Sequence, residues 1–234
     1  MPELSTAAAH SAVLFDFSGT LFRFTERAEW FTHLRDGSGN PIQGHTQAEL
    51  IRRMTAPVGI PVDLDDEGRY AWQRRDLDPA LHRQAYLAVL RGSGLTLPGH
   101  AESLYERVID PQSWEPYPDT ARCLRALRSA GIGVGVVSNI AFDLRDVFEV
   151  HDMGGLVDTF TLSYEVGITK PDPVIFASAL RSLGVAGPGA LMVGDSEEAD
   201  GGARRVGCDF TLVQPVPVPQ RPRALLDAVA HLLD

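Results

Sequence analysis

The apolar positions change rhythm twice along the chain. Residues 12–15, Ala-Val-Leu-Phe, form a short continuous apolar run that stops at Asp16 and gives way to the turn residues Ser18-Gly19-Thr20. A run of this kind suits a strand buried on both faces. From about Arg23 to Tyr117 the apolar residues instead recur at helical spacing, over 25–34, 46–54, 79–90 and 100–108. Clusters of turn residues at 36–41, 59–61 and 92–94 separate these segments. No strand pattern stands out there, so the stretch reads as an all-helical insertion. Beyond it the two rhythms alternate. Helices are predicted over 119–129, 142–150, 173–183, 198–206 and 222–232, and strands over 132–137, 159–162, 190–193 and 208–213. Such alternation implies an α/β fold, a parallel sheet with helices on both faces. The segment 213–222 carries four prolines and reads as a loop. The expected division is a sheet domain of residues 1–21 and 118–234, interrupted by a helical domain of residues 22–117. Ligands of such sheets bind at the carboxyl ends of the strands, where Asp16, Ser138, Lys170 and Asp195 fall.

Composition narrows the field. At 44% hydrophobic and 22% charged residues, the chain is an ordinary globular protein. No apolar run approaches the ~20 residues of a membrane helix. The first ten residues lack the basic start and apolar stretch of a secretion signal, so a cytoplasmic location is expected. Cys123 and Cys208 have no metal or redox spacing and read as buried free thiols. The net charge of −10, without any basic stripe, argues against nucleic acid as a partner. Lys170 is the single lysine among 21 basic residues. A lone lysine is ordinarily a solvated surface group. Its survival in a chain that otherwise uses arginine, and its Lys-Pro-Asp-Pro context, point to a task for a compact ammonium that a planar guanidinium does not perform.

Four separated motifs then fall into order: Phe15-Asp16-Phe17-Ser18-Gly19-Thr20-Leu21; Val136-Val137-Ser138-Asn139; Gly167-Ile168-Thr169-Lys170-Pro171-Asp172-Pro173; and Val193-Gly194-Asp195-Ser196-Glu197-Glu198-Ala199-Asp200. Each falls at a predicted strand end or the loop that follows. Together they resemble the haloacid dehalogenase superfamily of hydrolases, over the whole chain apart from details of the insertion. The resemblance implies a Rossmann-like parallel sheet core and a helical cap of the C1 type that selects substrate. It also implies a small phosphorylated molecule as substrate, no membrane partner, and a monomer or homodimer. Asp16 is similar to the family's nucleophile, which forms an aspartyl-phosphate. Mg2+ would be held by Asp16, the backbone carbonyl of Ser18 and Asp195, with Asp200 in support. Ser138, the amide of Asn139 and Gly19 would meet the phosphoryl group, and Lys170 would bridge it to Asp16. Glu197 and Glu198 read as helix first-turn carboxylates.

One departure changes the expected chemistry. The family's phosphatases carry a second aspartate two residues after the nucleophile, as acid and then base; this chain has Ser18 there. Positioned acid–base catalysis is worth ~10²–10⁴-fold, so its loss removes roughly 3–5 kcal/mol of transition-state stabilisation. Poor leaving groups suffer most; acyl phosphates and phosphoanhydrides need far less protonation. Three readings remain open from sequence: a phosphohydrolase that is slow or restricted to good leaving groups; a haloacid dehalogenase-type C–halogen hydrolase; and a low-turnover phosphate-binding or regulatory protein. The family's dehalogenases place an aromatic residue at this position and use no metal. Its phosphonate hydrolases need a cap lysine, which this chain lacks. Phe22, Phe24, Trp30, Phe31 and Trp72 are candidates to line a substrate pocket or to form helix core. Arg52-Arg53 and Arg74-Arg75 are candidates for a second anionic group or a solvated face.

Overall fold

The computed structural model describes residues 10–55 and 62–233. The turn cluster expected at 59–61 lies outside the described residues. In chain order the elements are β1 (Ala12–Phe15), β2 (Phe22–Phe24), α1 (Gly44–Thr55), α2 (Asp66–Arg74), α3 (Pro79–Gly92), α4 (His100–Ile109), β3 (Trp114–Pro116), α5 (Thr120–Ser129), β4 (Gly133–Ser138), α6 (Arg145–Val150), β5 (Thr159–Leu162), α7 (Ser163–Val166), α8 (Pro173–Leu183), β6 (Ala190–Gly194), β7 (Asp209–Leu212) and α9 (Ala224–Val229), with short 3-10 turns between some of them.

Five strands form one sheet in the order β5-β4-β1-β6-β7, all parallel. Every residue of β1 and β6 is buried, which is why both read as unbroken apolar runs. Ala12 pairs with Ala190 and Leu14 with Met192. These four side chains share a core with Ile175, Phe176, Ala179 and Leu180, one face of α8. Period-two alternation sends Val13 and Phe15 to the opposite side, so the sheet is covered on both faces. The chain runs β1, β4, β5 toward one edge and then crosses to β6 and β7 on the other. β1 therefore lies at the reversal of strand order, whose carboxyl end is the usual ligand crevice of open α/β sheets.

The chain divides into two compact units. One comprises residues up to Arg23, Glu115–Asn139 and Leu144 onward; the other comprises Phe24–Trp114 and Ile140–Asp143. Within the helical unit, Leu64, Ala71, Trp72, Ala85 and Val89 of the α2–α3 region form a core. Asp78 caps α3 by accepting from the amides of Ala80 and Leu81, with Pro79 next in line. Asp172 and Pro173 start α8 in the same way. An aromatic group surrounds His82: its Nδ1 lies 3.0 Å from the Tyr105 hydroxyl, its ring stacks on Tyr86 at 4.4 Å, and Phe142 meets it edge-on at 5.9 Å.

Several expectations need correction. The stretch read as purely helical begins and ends in two three-residue strands, β2 and β3, which pair in a small separate sheet. Three residues are too few to show a period of two. The helix expected over 25–34 is only a 3-10 turn at Ala28–Phe31, and that over 198–206 is a 3-10 segment, Asp200–Val206. Gly201 and Gly202 weaken helix propensity in the latter, and the Asp200 carboxylate bonds back to the Ser196 amide. Helix α2 is absent from the periodicity reading because its first turn, Asp66-Glu67-Gly68, is polar and carries a glycine. Among the described residues no helix is long and apolar enough to cross a membrane.

Candidate active site

Asp16 follows β1 directly, and its amide still donates to the Val193 carbonyl of β6 at 3.0 Å. The chain then turns sharply. The Phe17 carbonyl accepts from the amides of Thr20, Leu21 and Phe22 at 3.3, 3.0 and 3.0 Å, and the Gly19 amide donates to the Phe22 carbonyl at 2.7 Å. Gly19 has φ +85, and a Cβ there would lie 2.2 Å from Oδ2 of Asp195. Any side chain at this position would occupy the place of that carboxylate. Gly194, at the end of β6, plays the same part for Asp200: an added Cβ would stand 2.2 Å from Asp200 Oδ2. Two glycines thus make room for two acids.

Lys170 comes from the loop between α7 and α8. Asn139 grips its backbone from both sides, Oδ1 accepting from the Lys170 amide at 2.7 Å and Nδ2 donating to the Lys170 carbonyl at 3.0 Å. The ammonium so placed donates to Asp16 Oδ1 at 2.6 Å and to Asp200 Oδ1 at 2.7 Å. All three side chains are buried, at 3%, 9% and 1% exposure for Lys170, Asp16 and Asp200. The other Asp200 oxygen accepts from the Ser196 amide at 3.0 Å. Asp195 completes the group: one oxygen each of Asp16, Asp195 and Asp200 lie within 4.8 Å of one another.

Three carboxylates against one ammonium leave a surplus of negative charge. Burial is the largest influence on Asp16 and raises its pKa; Lys170 pulls it back and Asp200 pushes it up again, for a value of about 6. Burial, then Asp16 and Asp200, raise Asp195 to about 7. Burial alone would lower Lys170, but the charges of Asp16 and Asp200 outweigh it and the ammonium is held more firmly than usual. Oδ2 of Asp16 is buried with no hydrogen-bond partner in the protein. A buried carboxylate oxygen without a donor, facing two more carboxylates, is the donor set of a hard divalent cation. The residues present fit Mg2+.

Asp16, Lys170, Asp195 and Asp200 therefore converge. Ser138 ends β4 and is buried; Asn139 follows it. Its side chain has a job the sequence did not suggest, orienting Lys170. Ser18 is exposed in the turn. Cys123 and Cys208 are buried, their thiols pushed up to about 12 and about 11 by burial. Sequence reasoning passed over Arg221 and Tyr117. Arg221, in the proline-rich segment, is buried, donates to the carbonyls of Gly19 and Thr20, and lies 3.2 Å over the Tyr117 ring. One arginine among twenty, between Gln220 and Pro222, carries no signal of its own.

Residues 10–207 match the family model of haloacid dehalogenase-like hydrolases. The chain belongs to this family. Haloacid dehalogenase-like hydrolase domain-containing protein 3 of Bos taurus is 34% identical over 143 residues, 57% of this chain and 56% of the relative; the match thus spans about half the length of that relative. Glyceraldehyde 3-phosphate phosphatase of Methanopyrus kandleri is 28% identical over 256 residues, 94% of this chain and 97% of the relative. Among solved structures, a dehalogenase with an intermediate complex superimposes with a TM-score of 0.68 at 21% identity, over 97% of this chain and 98% of that one. The superposition shows a shared fold.

Proposed function

We propose that this hydrolase is a magnesium-dependent phosphohydrolase of small phosphorylated molecules, working through Asp16 and restricted to good leaving groups. The observation that carries the reading is the buried cluster in which Lys170 bridges Asp16 and Asp200 while Asp195 stands within 4.8 Å of both acids. The name of the Methanopyrus kandleri relative, a glyceraldehyde 3-phosphate phosphatase, points the same way. C–halogen hydrolysis of the family's kind needs no cation, and three converging carboxylates would serve it poorly.

Asp16, Asp195 and the Ser18 carbonyl would hold the cation, with Asp200 in support. Bound there, Mg2+ supplies Lewis-acid neutralisation of the phosphate and of the surplus carboxylate charge. The ammonium of Lys170 keeps Asp16 ionised and, through Oδ1, would hold its carboxylate in place as the nucleophile. Ser138, the last residue of the adjacent strand β4, and the Asn139 amide that follows it would take up phosphoryl oxygens. Attack by the Asp16 carboxylate on phosphorus would form an aspartyl-phosphate as the bond to the leaving oxygen breaks, its electron pair departing with that oxygen. Water then attacks phosphorus, returns Asp16 and releases inorganic phosphate.

Neither half-reaction finds an acid or base at residue 18, because a serine hydroxyl does not exchange protons efficiently near neutral pH. Leaving groups that depart without a proton are therefore favoured. The test is phosphate release from acetyl phosphate and from glycerol phosphate, with and without Mg2+, beside halide release from 2-chloropropionate. Faster cation-dependent release from the acyl phosphate is expected. Halide release without Mg2+, and no phosphate release, would overturn the reading. Ser18→Asp should raise glycerol phosphate hydrolysis by more than ~10-fold, a floor set below the ~10²–10⁴-fold of positioned acid–base catalysis; no gain would mean that another group already fills the role.

A further inference from the structure

Arg221 is a buried guanidinium with no carboxylate within ion-pair distance among the described residues. Nη1 donates to the carbonyls of Gly19 at 2.7 Å and Gln214 at 3.2 Å, and Nη2 donates to the carbonyl of Thr20. Its plane rests on Tyr117, whose hydroxyl donates to the Val216 carbonyl at 2.9 Å. Burial lowers its pKa, as expected of a charge lodged away from water. A buried charge without an ion pair is costly, so its presence calls for a compensating role. The acceptors show where to look. Two of the three carbonyls belong to the turn that follows the nucleophile, directly after Ser18. The Phe17 carbonyl already organises the inner amides of that turn, and Arg221 takes the outward carbonyls, so both sides of one short loop are held.

We propose that Arg221 is a positioning residue for cation binding. It locks the carbonyls of Gly19 and Thr20, and thereby fixes the neighbouring Ser18 carbonyl as a cation ligand in register with Asp16 and Asp195. It also sets a fixed positive charge behind a cluster with surplus negative charge. The inference rests on the proposed cation site at Asp16, Ser18 and Asp195.

Groups that orient metal ligands commonly cost 10–100-fold in metal affinity when removed. Arg221→Gln should therefore weaken Mg2+ binding by about 10-fold or more, measured by titration calorimetry on the full chain. Arg221→Lys, which keeps the charge but reaches fewer carbonyls, should recover part of that loss. In the cation-free protein, amide hydrogen exchange of residues 17–22 should quicken in Arg221→Gln and less so in Arg221→Lys. Arg223→Gln removes an exposed arginine two residues away, paired with Asp227 at 3.4 Å, and should leave affinity unchanged. Wild-type affinity in a folded Arg221→Gln overturns the inference alone, as does an equal loss in Arg223→Gln, which would make net charge the cause. Should Arg221→Gln fail to fold, the affinity and exchange of Arg221→Lys decide: values equal to wild type overturn it. Absence of Mg2+ binding by the wild type overturns the cation site itself, and the inference with it.

Discussion

Two buried polar clusters, one in each unit, handle charge in opposite ways. Around Asp16 the protein keeps charge inside: an ammonium and carboxylates lie within hydrogen-bond reach, and Lys170 is held protonated by its partners. Around His82 the protein excludes charge. Burial, with Arg75 nearby, pushes His82 down to about 4; burial raises Tyr105 to about 12 and carries Tyr86 beyond its ordinary range. All three are neutral at physiological pH; His82 shares a hydrogen bond with Tyr105, and the three rings pack together. Both clusters contain buried titratable residues, so burial does not separate chemistry from packing. Retained charge with an oxygen left over does.

The largest test of this contrast is Asp16→Asn, which keeps the shape of the proposed nucleophile and removes its charge. Turnover should fall by on the order of 10⁴-fold or more, as expected when a covalent nucleophile is lost, while circular dichroism stays unchanged. Retained Mg2+-dependent activity would move the nucleophile elsewhere. Next comes Lys170→Met, which leaves Asp16 and Asp200 facing each other without a cation. At pH 8 urea denaturation should show a loss of roughly 3–5 kcal/mol, typical of breaking a buried pair. The loss should shrink toward pH 5 as Asp16 takes up a proton. In the other cluster, His82→Leu removes one neutral hydrogen bond and should cost only about 1–3 kcal/mol, without altering Mg2+ affinity. A changed affinity would show that the two clusters are coupled.

The smallest expected effect is also the most discriminating. Asp16 and Asp195 have folded values of about 6 and about 7, above the ordinary 3.8, so the fraction of stability they contribute is present at low pH and lost as pH rises through 6–7. His82 has a folded value of about 4 against 6.5, so its contribution is present above 6.5 and lost as pH falls toward 4. In the cation-free protein the two clusters oppose each other between about pH 6.5 and 5, and the melting temperature should vary little. Asp195→Asn should make it fall on acidification, and His82→Leu should make it rise. The same sign for both variants would break the comparison.

Much of the charged cluster was legible in the chain, because its parts sit where strands end. β1 stops at Asp16 and β6 at Gly194, and Lys170 stands out as the single lysine. What was not legible is what depends on distant backbone. Asn139 works through the main chain of Lys170, 31 residues away, and Arg221 through carbonyls about 200 residues away. No local pattern encodes either. β2 and β3 were too short to read, and α2 was hidden by its polar first turn. The neutral cluster was missed for a different reason: His82, Tyr86 and Tyr105 lie on helices whose spacing announces only a buried face.

The two glycines beside the acids have a consequence for how this hydrolase acquires new chemistry. At residues 19 and 194 even a methyl group has no vacant space, so the frame that gathers the carboxylates is closed to substitution from within. Ser18, one position away, faces solvent and displaces nothing when exchanged. An exchange of the Ser18 side chain therefore meets less of the interior crowding that Gly19 and Gly194 relieve.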